Sequence, residues 1–426
     1  MRHTSKSLAA ALFLLMAYIS GCRVVAQNLS KDFPKSFTVT LTNPMSQARE
    51  EVMVVLPTHQ LKTLHPSFNA KAFVVLDGKT EVPSQFNQQD ALQAGIVLVL
   101  PKVEAKETRT LTVRYNASGE NQRNYEKRTQ AEISVKEGGS FQNREYIGGK
   151  FQNVSALRVP AEHTDHSNYI RYEGPGWESD KVAYRYYLDW RNAVDVFGKR
   201  TSKMVLQEVG QEGLESYHNL QPWGMDIMKV GNSLGVGSVA TFHEGKAVRV
   251  EKTDSIKTTI QENGNLYSAV QTDYYGWQAA NQKLQLRSLL SIHAGSRLTR
   301  HQVQLVGVQL ANISSGLIKD TLAKVHTYKG SPSQWGYLAS YGPQSLNKDK
   351  LGVAVLFHPQ DIMAFAQDQY SDIVIMKPTN GQVEYYFVAA WELEPNGIQT
   401  EAQFLEYLQT VGQELANPMK VSINRK

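Results

Sequence analysis

The chain has 426 residues, 41% of them apolar and 20% charged, with 45 basic against 40 acidic side chains. This composition excludes wholesale disorder, and an evenly spread excess of only +5 argues against a nucleic-acid binder. With 30 glycines and 15 prolines, near average use, it is not collagen-like or linker-dominated either.

Arg2 and Lys6 precede an apolar run from Leu8 to Ile19. The run is too short to span a bilayer and fits the apolar region of an export signal. Ile19-Ser20-Gly21 then leads to the only cysteine, in a box resembling that of bacterial lipoproteins, with residues 1–21 as the signal peptide and Cys22 as the acylated residue. The alternative is ordinary cleavage after Val24-Val25-Ala26, which discards Cys22. Either way the protein is exported: lipid-anchored or soluble in the periplasm, or at the cell surface. Membrane association would run through the N-terminal lipid only. One cysteine allows no internal disulfide.

Residues 30–116 carry short β runs punctuated by turn residues: Phe37 to Leu41 before Asn43-Pro44, Val52 to Leu56 before Pro57, Phe73 to Leu76 before Asp77-Gly78, then Ile96 to Leu100 and Thr108 to Tyr115. This spacing predicts a small immunoglobulin-like β-sandwich. A polar linker, Asn116 to Arg128, follows. Residues 131–426 remain β-dominated, with long alternating runs at Leu284 to Ile292 and Thr299 to Val308 and shorter ones at Val239 to Phe242, Leu351 to Phe357, Ile373 to Met376 and Tyr385 to Ala390. They predict a large antiparallel two-sheet sandwich. One helix is expected, from Thr400 as N-cap to Leu415, with Phe404, Leu405, Leu408 and Val411 on one face.

Ionisable groups crowd into His163 to Lys199, where eight aromatics are interleaved with Arg171, Lys181, Arg185, Arg191, Lys199 and the carboxylates Glu173, Glu178, Asp180, Asp189 and Asp195. A core strand would not tolerate so many ionisable groups, since each buried charge needs a partner or shifts its pKa, so the segment is expected to line a cleft. Read as a strand, Val182 to Arg191 places Tyr184, Tyr186, Leu188 and Trp190 on one face and Arg185, Tyr187, Asp189 and Arg191 on the other. Such a polar row suits an anionic sugar, arginine gripping a carboxylate and Asp accepting from hydroxyls, although alternating charge also describes a salt-bridged outer face. The Gly/Pro turn before it carries Trp177, a platform for a sugar ring or a core anchor. A second block, Ser216 to Gly231, holds His218, whose ordinary pKa suits proton transfer, with Tyr217, Trp223 and Asp226 close by in sequence.

Other classes lack their signatures. There is no nucleophile elbow, phosphate loop or dinucleotide fingerprint, and Gly231 to Gly237 reads as a turn. His163 and His166 are three apart but lack zinc spacing, so no metal ligands are assigned and no cofactor is expected, with room left for a calcium or magnesium ion among the carboxylates. Tyr274 and Trp277 offer an aromatic wall or core packing, and Arg297 and His293 are candidates to face one cleft.

The blocks Tyr172 to Lys199 (with EGPGWESD and YRYYLDWRNAVDVFGK) and Ser216 to Ser238 (SYHNLQPWGMDIMKVGNSLGVGS) resemble an exported family from polysaccharide-utilisation loci of gut and marine bacteria. The resemblance covers most of the mature chain. That family includes an oligosaccharide dehydratase that forms a 4,5-unsaturated uronic acid at the non-reducing end of ulvan fragments, and its members are often encoded beside unsaturated-uronyl hydrolases. The large domain is also similar to the supersandwich of mutarotases and several polysaccharide lyases. The resemblance implies elimination of water across C4 and C5 of a terminal uronate, with an acidic oligosaccharide as substrate. Such a reaction needs a base for the C5 proton, cations for the developing aci-carboxylate and an acid for the 4-hydroxyl. In this chain His218 or His166 is expected as base and Tyr187 as acid, with Arg185, Arg191 and Lys199 as the carboxylate clamp. Trp177 and Trp223 would stack on sugar, and Asp189 and Asp226 would orient hydroxyls or the imidazole. The alternatives are a glycoside hydrolase using two of the five carboxylates and a glycan-binding lipoprotein without catalysis. The pattern specifies no oligomeric state.

Overall fold

The computed structural model describes residues 29–307 and 309–425. The export segment and Cys22 lie outside the described residues. Among the described residues no helix is long and apolar enough to cross a membrane. The chain is mainly β, and its sheets pack face to face as sandwiches.

The small sandwich forms as the turn spacing predicts. One sheet orders Lys420–Ile423, Lys35–Thr42, Thr108–Tyr115, Phe73–Asp77 and Thr80–Val82, and the facing sheet orders Arg49–Pro57, Gly95–Val103 and Ser84–Asn87. Alternate residues point inward, so Val39, Leu41, Val54, Leu56, Leu98, Leu111 and Val113 share one core. Its edge strand comes from the far end of the chain: Ile423 pairs with Val39 and Lys420 with Thr42, and Asn424 donates to the hydroxyls of Thr38 and Thr40. The segment read as a linker is held down, Arg123 and Tyr125 on Glu81 and Arg128 on Glu51 and Asp180.

The large sandwich has one layer of nine antiparallel strands, whose centre is Tyr267–Ala279, Gln282–His293, Leu298–Val306, Gln382–Trp391 and Leu351–Phe357. Two five-stranded sheets cover its inner face. One contains Ile313–Ile318 and Ser371–Met376. The other orders Gly224–Asp226, Val194–Lys199, Ala183–Tyr186, Gly176–Ser179 and Thr129–Glu132, and carries the charged segment singled out above. A single hydrophobic core runs through all three, and Tyr274 and Trp277 belong to it. The helix Glu401–Ala416 starts at Thr400 with a capping box to Gln403, and lays Phe404, Leu408 and Val411 on the outer face of the nine-stranded sheet.

Removing residues 420–426 uncovers the Lys35–Thr42 edge and part of the small core. The truncated protein should lose about 5 °C or more from the unfolding midpoint of that sandwich, read by calorimetry. An unchanged midpoint would show that the returning strand contributes nothing.

Candidate active site

Strand alternation explains why charge is buried on the five-stranded sheet. Trp177, Tyr184, Val194 and Val196 point into the common core, where Trp177 Nε1 donates to Thr299 Oγ1 at 2.8 Å and Tyr184 OH donates to the Arg297 carbonyl at 2.7 Å. The opposite face carries Glu132, Glu178, Arg185, Asp195, Lys199 and Asp226. A covering layer of Tyr172, Val205, Leu206, Val209 and Tyr217 roofs that face and seals it from solvent.

Arg185 stands at its centre. It pairs across the strands with Asp195, and its Nη2 lies 2.7 Å from Asp195 Oδ2 and 2.5 Å from Asp226 Oδ2. Its Nε reaches Asp195 at 3.1 Å, and its Nη1 donates to Tyr217 OH at 2.9 Å and stands 3.9 Å from Glu173. The rings of Tyr187, Tyr217 and Phe197 enclose the guanidinium, with centroids 4.6, 5.0 and 5.1 Å away. One cation therefore faces three carboxylates. Burial, reinforced by the Asp195 charge and only partly offset by Arg185, pushes the Asp226 carboxyl well above the usual range. The Tyr187 phenol, also pushed well up by burial, donates to Asp195 Oδ2.

The expected strand ends at Tyr186. The chain then turns back on itself: Asp189 Oδ1 accepts the Arg191 amide at 2.8 Å, and Asn192, at φ +39°, is held by the Val250 carbonyl and Tyr274 OH. The turn swings Arg191 over the Tyr187 ring, 3.7 Å from its centroid, and onto Glu173 at 2.7 Å, Asp165 at 2.9 Å and Asp189. These contacts use Nε and Nη2, and Arg191 Nη1 has no protein partner among the described residues. Trp190, expected on one strand face with Tyr184, Tyr186 and Leu188, is left 42% exposed, unlike those buried residues.

Glu173 joins the two arginines. Its segment packs so closely on the neighbouring strand that a Cβ on Gly174 would stand 1.7 Å from the Tyr186 carbonyl. His166, Asn168, Tyr172 and Glu173 all have φ between +41° and +69°, an unfavourable region for residues with side chains. Burial opposes the Glu173 charge, but Arg191 and Arg185 overcome it and hold the carboxyl at about 2. Asp165, one-third exposed, goes the other way: burial raises it, Arg191 resists, and a hydrogen bond with Glu173 adds to the rise. Donor atoms of Asp165, His166 and Glu173 lie within 4.8 Å of one another, a spacing that suits a divalent cation. Arg191 already supplies positive charge to both carboxylates, so the cluster is a poor fit for a metal ion.

His218 closes the other end, at the C-terminus of the short turn Leu214–Tyr217. Its side chain is 37% exposed, its Nε2 stands 3.6 Å from Asp226 Oδ2, and its ring meets Tyr217 edge-on with centroids 4.8 Å apart. His218, Asp226, Arg185, Asp195, Tyr187, Glu173, Arg191, Asp189, Asp165 and His166 are thus one connected network, open to solvent at its two ends.

Several expected roles need correction. Arg185 cannot clamp a substrate, because every nitrogen is committed to protein partners. Lys199 is wholly buried on Glu178 and the Ser179 carbonyl, while Glu178 accepts from the amides of Val205 and Leu206, so this pair fastens the covering loop. Trp177 is a core anchor with no exposed surface, and Tyr187 is too enclosed to meet a leaving group. Trp223 packs edge-on against Phe197, behind the network. Of the five carboxylates offered for hydrolysis, Glu173, Glu178, Asp180, Asp189 and Asp195, all are held by protein cations and none has more than 12% of its side chain exposed. Asp165 lies between His163 and His166 with no motif to mark it, and the strand expected to run to Arg191 ends five residues earlier, which displaces Trp190.

The model of a family described as domain of unknown function DUF4861 matches residues 41–421. Two solved structures from Enterococcus faecalis are similar in part: a protein in glycosyl hydrolase family 38 (10% identity, TM-score 0.45, covering 92% of this chain and 48% of that one) and an alpha-mannosidase (10%, 0.45, 91% and 46%). Rubredoxin-oxygen oxidoreductase of Megalodesulfovibrio gigas is 24% identical over 185 residues, 43% of this chain and 40% of that protein. The chain thus spans less than half the length of each of these proteins.

A carboxylate held down by arginines stabilises the fold above its unfolded pKa of about 4.3, and that contribution is lost as pH falls through about 2. Glu173→Gln should therefore be less stable than the parent at pH 6 and show a flatter loss of stability between about pH 4.3 and 2, followed by urea denaturation. Parallel pH profiles would contradict the assignment. Trp177→Ala should cost about 3–5 kcal/mol of stability in the same assay, as a core anchor does; a neutral effect would reopen a surface role.

Proposed function

The chain belongs to the DUF4861 family, and we propose that it is an exported carbohydrate-active enzyme that removes water from the non-reducing-end uronic acid of acidic oligosaccharides, leaving a 4,5-unsaturated uronyl product. The observation that carries this reading is a single juxtaposition: a half-exposed imidazole 3.6 Å from a carboxyl whose remaining contacts are internal. Asp226 stands beside Nε2, while Nδ1, on the ring's exposed side, remains open to a substrate.

In this scheme His218 Nδ1, the ring nitrogen on the side of exposed Glu215, takes the C5 proton, the electron pair forms the C4–C5 double bond, and the C4–O bond breaks. The scheme requires His218 and the Arg191 rim to face one sugar ring; charge building on the substrate carboxylate then meets Arg191 Nη1, whose other guanidinium nitrogens are held by Glu173, Asp165 and Asp189. The departing hydroxyl takes its proton from Asp165, which combines solvent access with a carboxyl biased toward its neutral form. Trp190, exposed beside Arg191 and backed by Arg249 at 5.4 Å, offers a ring face for stacking on the sugar. A hydrolase would require two of the enclosed carboxylates to reach a glycosidic bond, which makes it the less supported reading. Export with a lipid on Cys22, or as a soluble periplasmic protein, would bring the enzyme to its oligosaccharides.

Purified mature protein incubated with a saturated uronyl oligosaccharide should yield a product lighter by one water and absorbing in the ultraviolet as a conjugated acid. His218→Ala should lower that rate by about a hundredfold or more with the fold intact by circular dichroism. Near-normal turnover would remove His218 from the chemistry, and products with a new reducing end would replace elimination by hydrolysis.

A further inference from the structure

The largest described cavity, about 790 Å³, is interdomain: it lies between the small sandwich and the C-terminal helix and takes in Arg297 and His293, but its four arginine and lysine side chains are matched by four glutamates. A second cavity, about 590 Å³, is built differently. It lies between the hairpin of Ser134–Gln142 and Glu145–Asn153 and the segment Gly210 to Gly213. Its volume falls in the range of about 300–1,000 Å³ usual for small-molecule sites. Asn168, on its wall, belongs to the segment that carries Asp165 and His166, and Gly213 precedes the turn Leu214–Tyr217 that ends at His218. The cavity is thus bordered by both segments through which the network opens to solvent.

The hairpin presents a cation and a ring there. Lys136 and Phe151 stand directly opposite on the paired strands, so their side chains share one face, and the Lys136 ammonium lies 5.4 Å from the Phe151 ring centroid. Both residues are half-buried, and Lys136 has no carboxylate partner among the described residues. Lys150 also lines the cavity but stands across the strands from Glu137, on the other face. The one acid of the wall, Glu212, is exposed and forms no ion pair with either lysine among the described residues. Neutral amides complete the lining. Gln211 spends Nε2 on the Gln207 carbonyl and Asn168 spends Nδ2 on Glu145, which leaves both amide oxygens as acceptors for hydroxyls. An ammonium without a counter-ion, an aromatic ring and amide acceptors on one wall match a sugar that carries an anionic group.

We infer that this groove is a saccharide subsite, which takes an anionic sugar lying behind the terminal uronate, its charge on Lys136 and its ring alongside Phe151. The inference rests on the reading of an acidic oligosaccharide as ligand and does not require the elimination. It assigns the part of the chain that does not react, whose binding energy holds the reacting end in place.

Calorimetric titration of the His218→Ala protein, in which the ligand is not consumed, reads the groove directly. The probes are the methyl glycoside of the uronic acid, a saturated uronyl tetrasaccharide and its carboxyl-reduced neutral form. The tetrasaccharide should bind about tenfold or more tightly than the methyl glycoside. Adding Lys136→Gln should weaken the acidic tetrasaccharide about tenfold, change the methyl glycoside and the neutral form less than about twofold, and be largely reversed by Lys136→Arg. Phe151→Ala should weaken the acidic and neutral tetrasaccharides alike, with the circular dichroism of the parent retained. Absence of binding, equal affinity for the tetrasaccharide and the methyl glycoside, or indifference to both substitutions would overturn the groove. Groove-dependent binding with no unsaturated product from the native protein would overturn only the elimination, whereas product formed with a KM unmoved by Lys136→Gln would overturn only the groove.

Discussion

The guanidinium of Arg185 is the constraint from which the site follows. It is buried among Asp195, Asp226 and Glu173, on a sheet face that would otherwise have to be apolar. Removing an arginine from water costs several kcal/mol, recovered only when its donors are met by charged acceptors in good geometry. Strand register supplies Asp195 directly opposite, and the neighbouring strand supplies Asp226. Burial, reinforced by the neighbouring Asp195 charge, pushes the Asp226 carboxyl well above the usual range, and that carboxyl lies beside the imidazole of His218. Charge balance inside the sheet thus sets the environment of the group at its mouth.

The same economy governs the covering layer. Lys199 with Glu178, and Arg171 and Tyr172 with Glu132, tie the covering loops to the strands beneath. Between these anchors the backbone of His166 to Glu173 passes repeatedly through positive φ, and each such residue costs about 1–3 kcal/mol. The surrounding ion pairs stabilise that path, and the path delivers Glu173 to both arginines at once. Two arginines that resemble each other in sequence therefore have different tasks. Arg185 holds the protein's own carboxylates, while Arg191, at the rim, keeps one nitrogen for a partner from outside.

Much of the architecture was legible from period alone. The small sandwich, the long antiparallel strands and the capped helix at Thr400 follow from alternation, turn residues and a hydroxyl N-cap. The polar row was legible in membership but not in geometry: Arg185, Tyr187, Asp189 and Arg191 do converge, through a strand end and a side-chain-stabilised turn rather than a continuous strand. What alternation could not supply is the identity of each partner. The counter-ions of Arg185 come from positions 10 and 41 residues away, through a cross-strand register that no local pattern encodes. Trp177 misled for a related reason, since only its pairing with Tyr184 shows that it faces the core. The returning strand at residues 420–423 and the interdomain cavity depend on contacts between distant parts of the chain, beyond the reach of any window of sequence.

The claim on which all of this rests is that Arg185 and Asp226 are energetically one unit. A double-mutant cycle of Arg185→Met and Asp226→Asn, with stability read by urea denaturation at pH 7, tests it directly. Removing the arginine alone should strand its carboxylates and cost about 3–5 kcal/mol, and the pair together should cost clearly less than the sum of the two single changes. Additivity within about 0.5 kcal/mol would mean that the two groups do not sense each other, and the network would lose its centre.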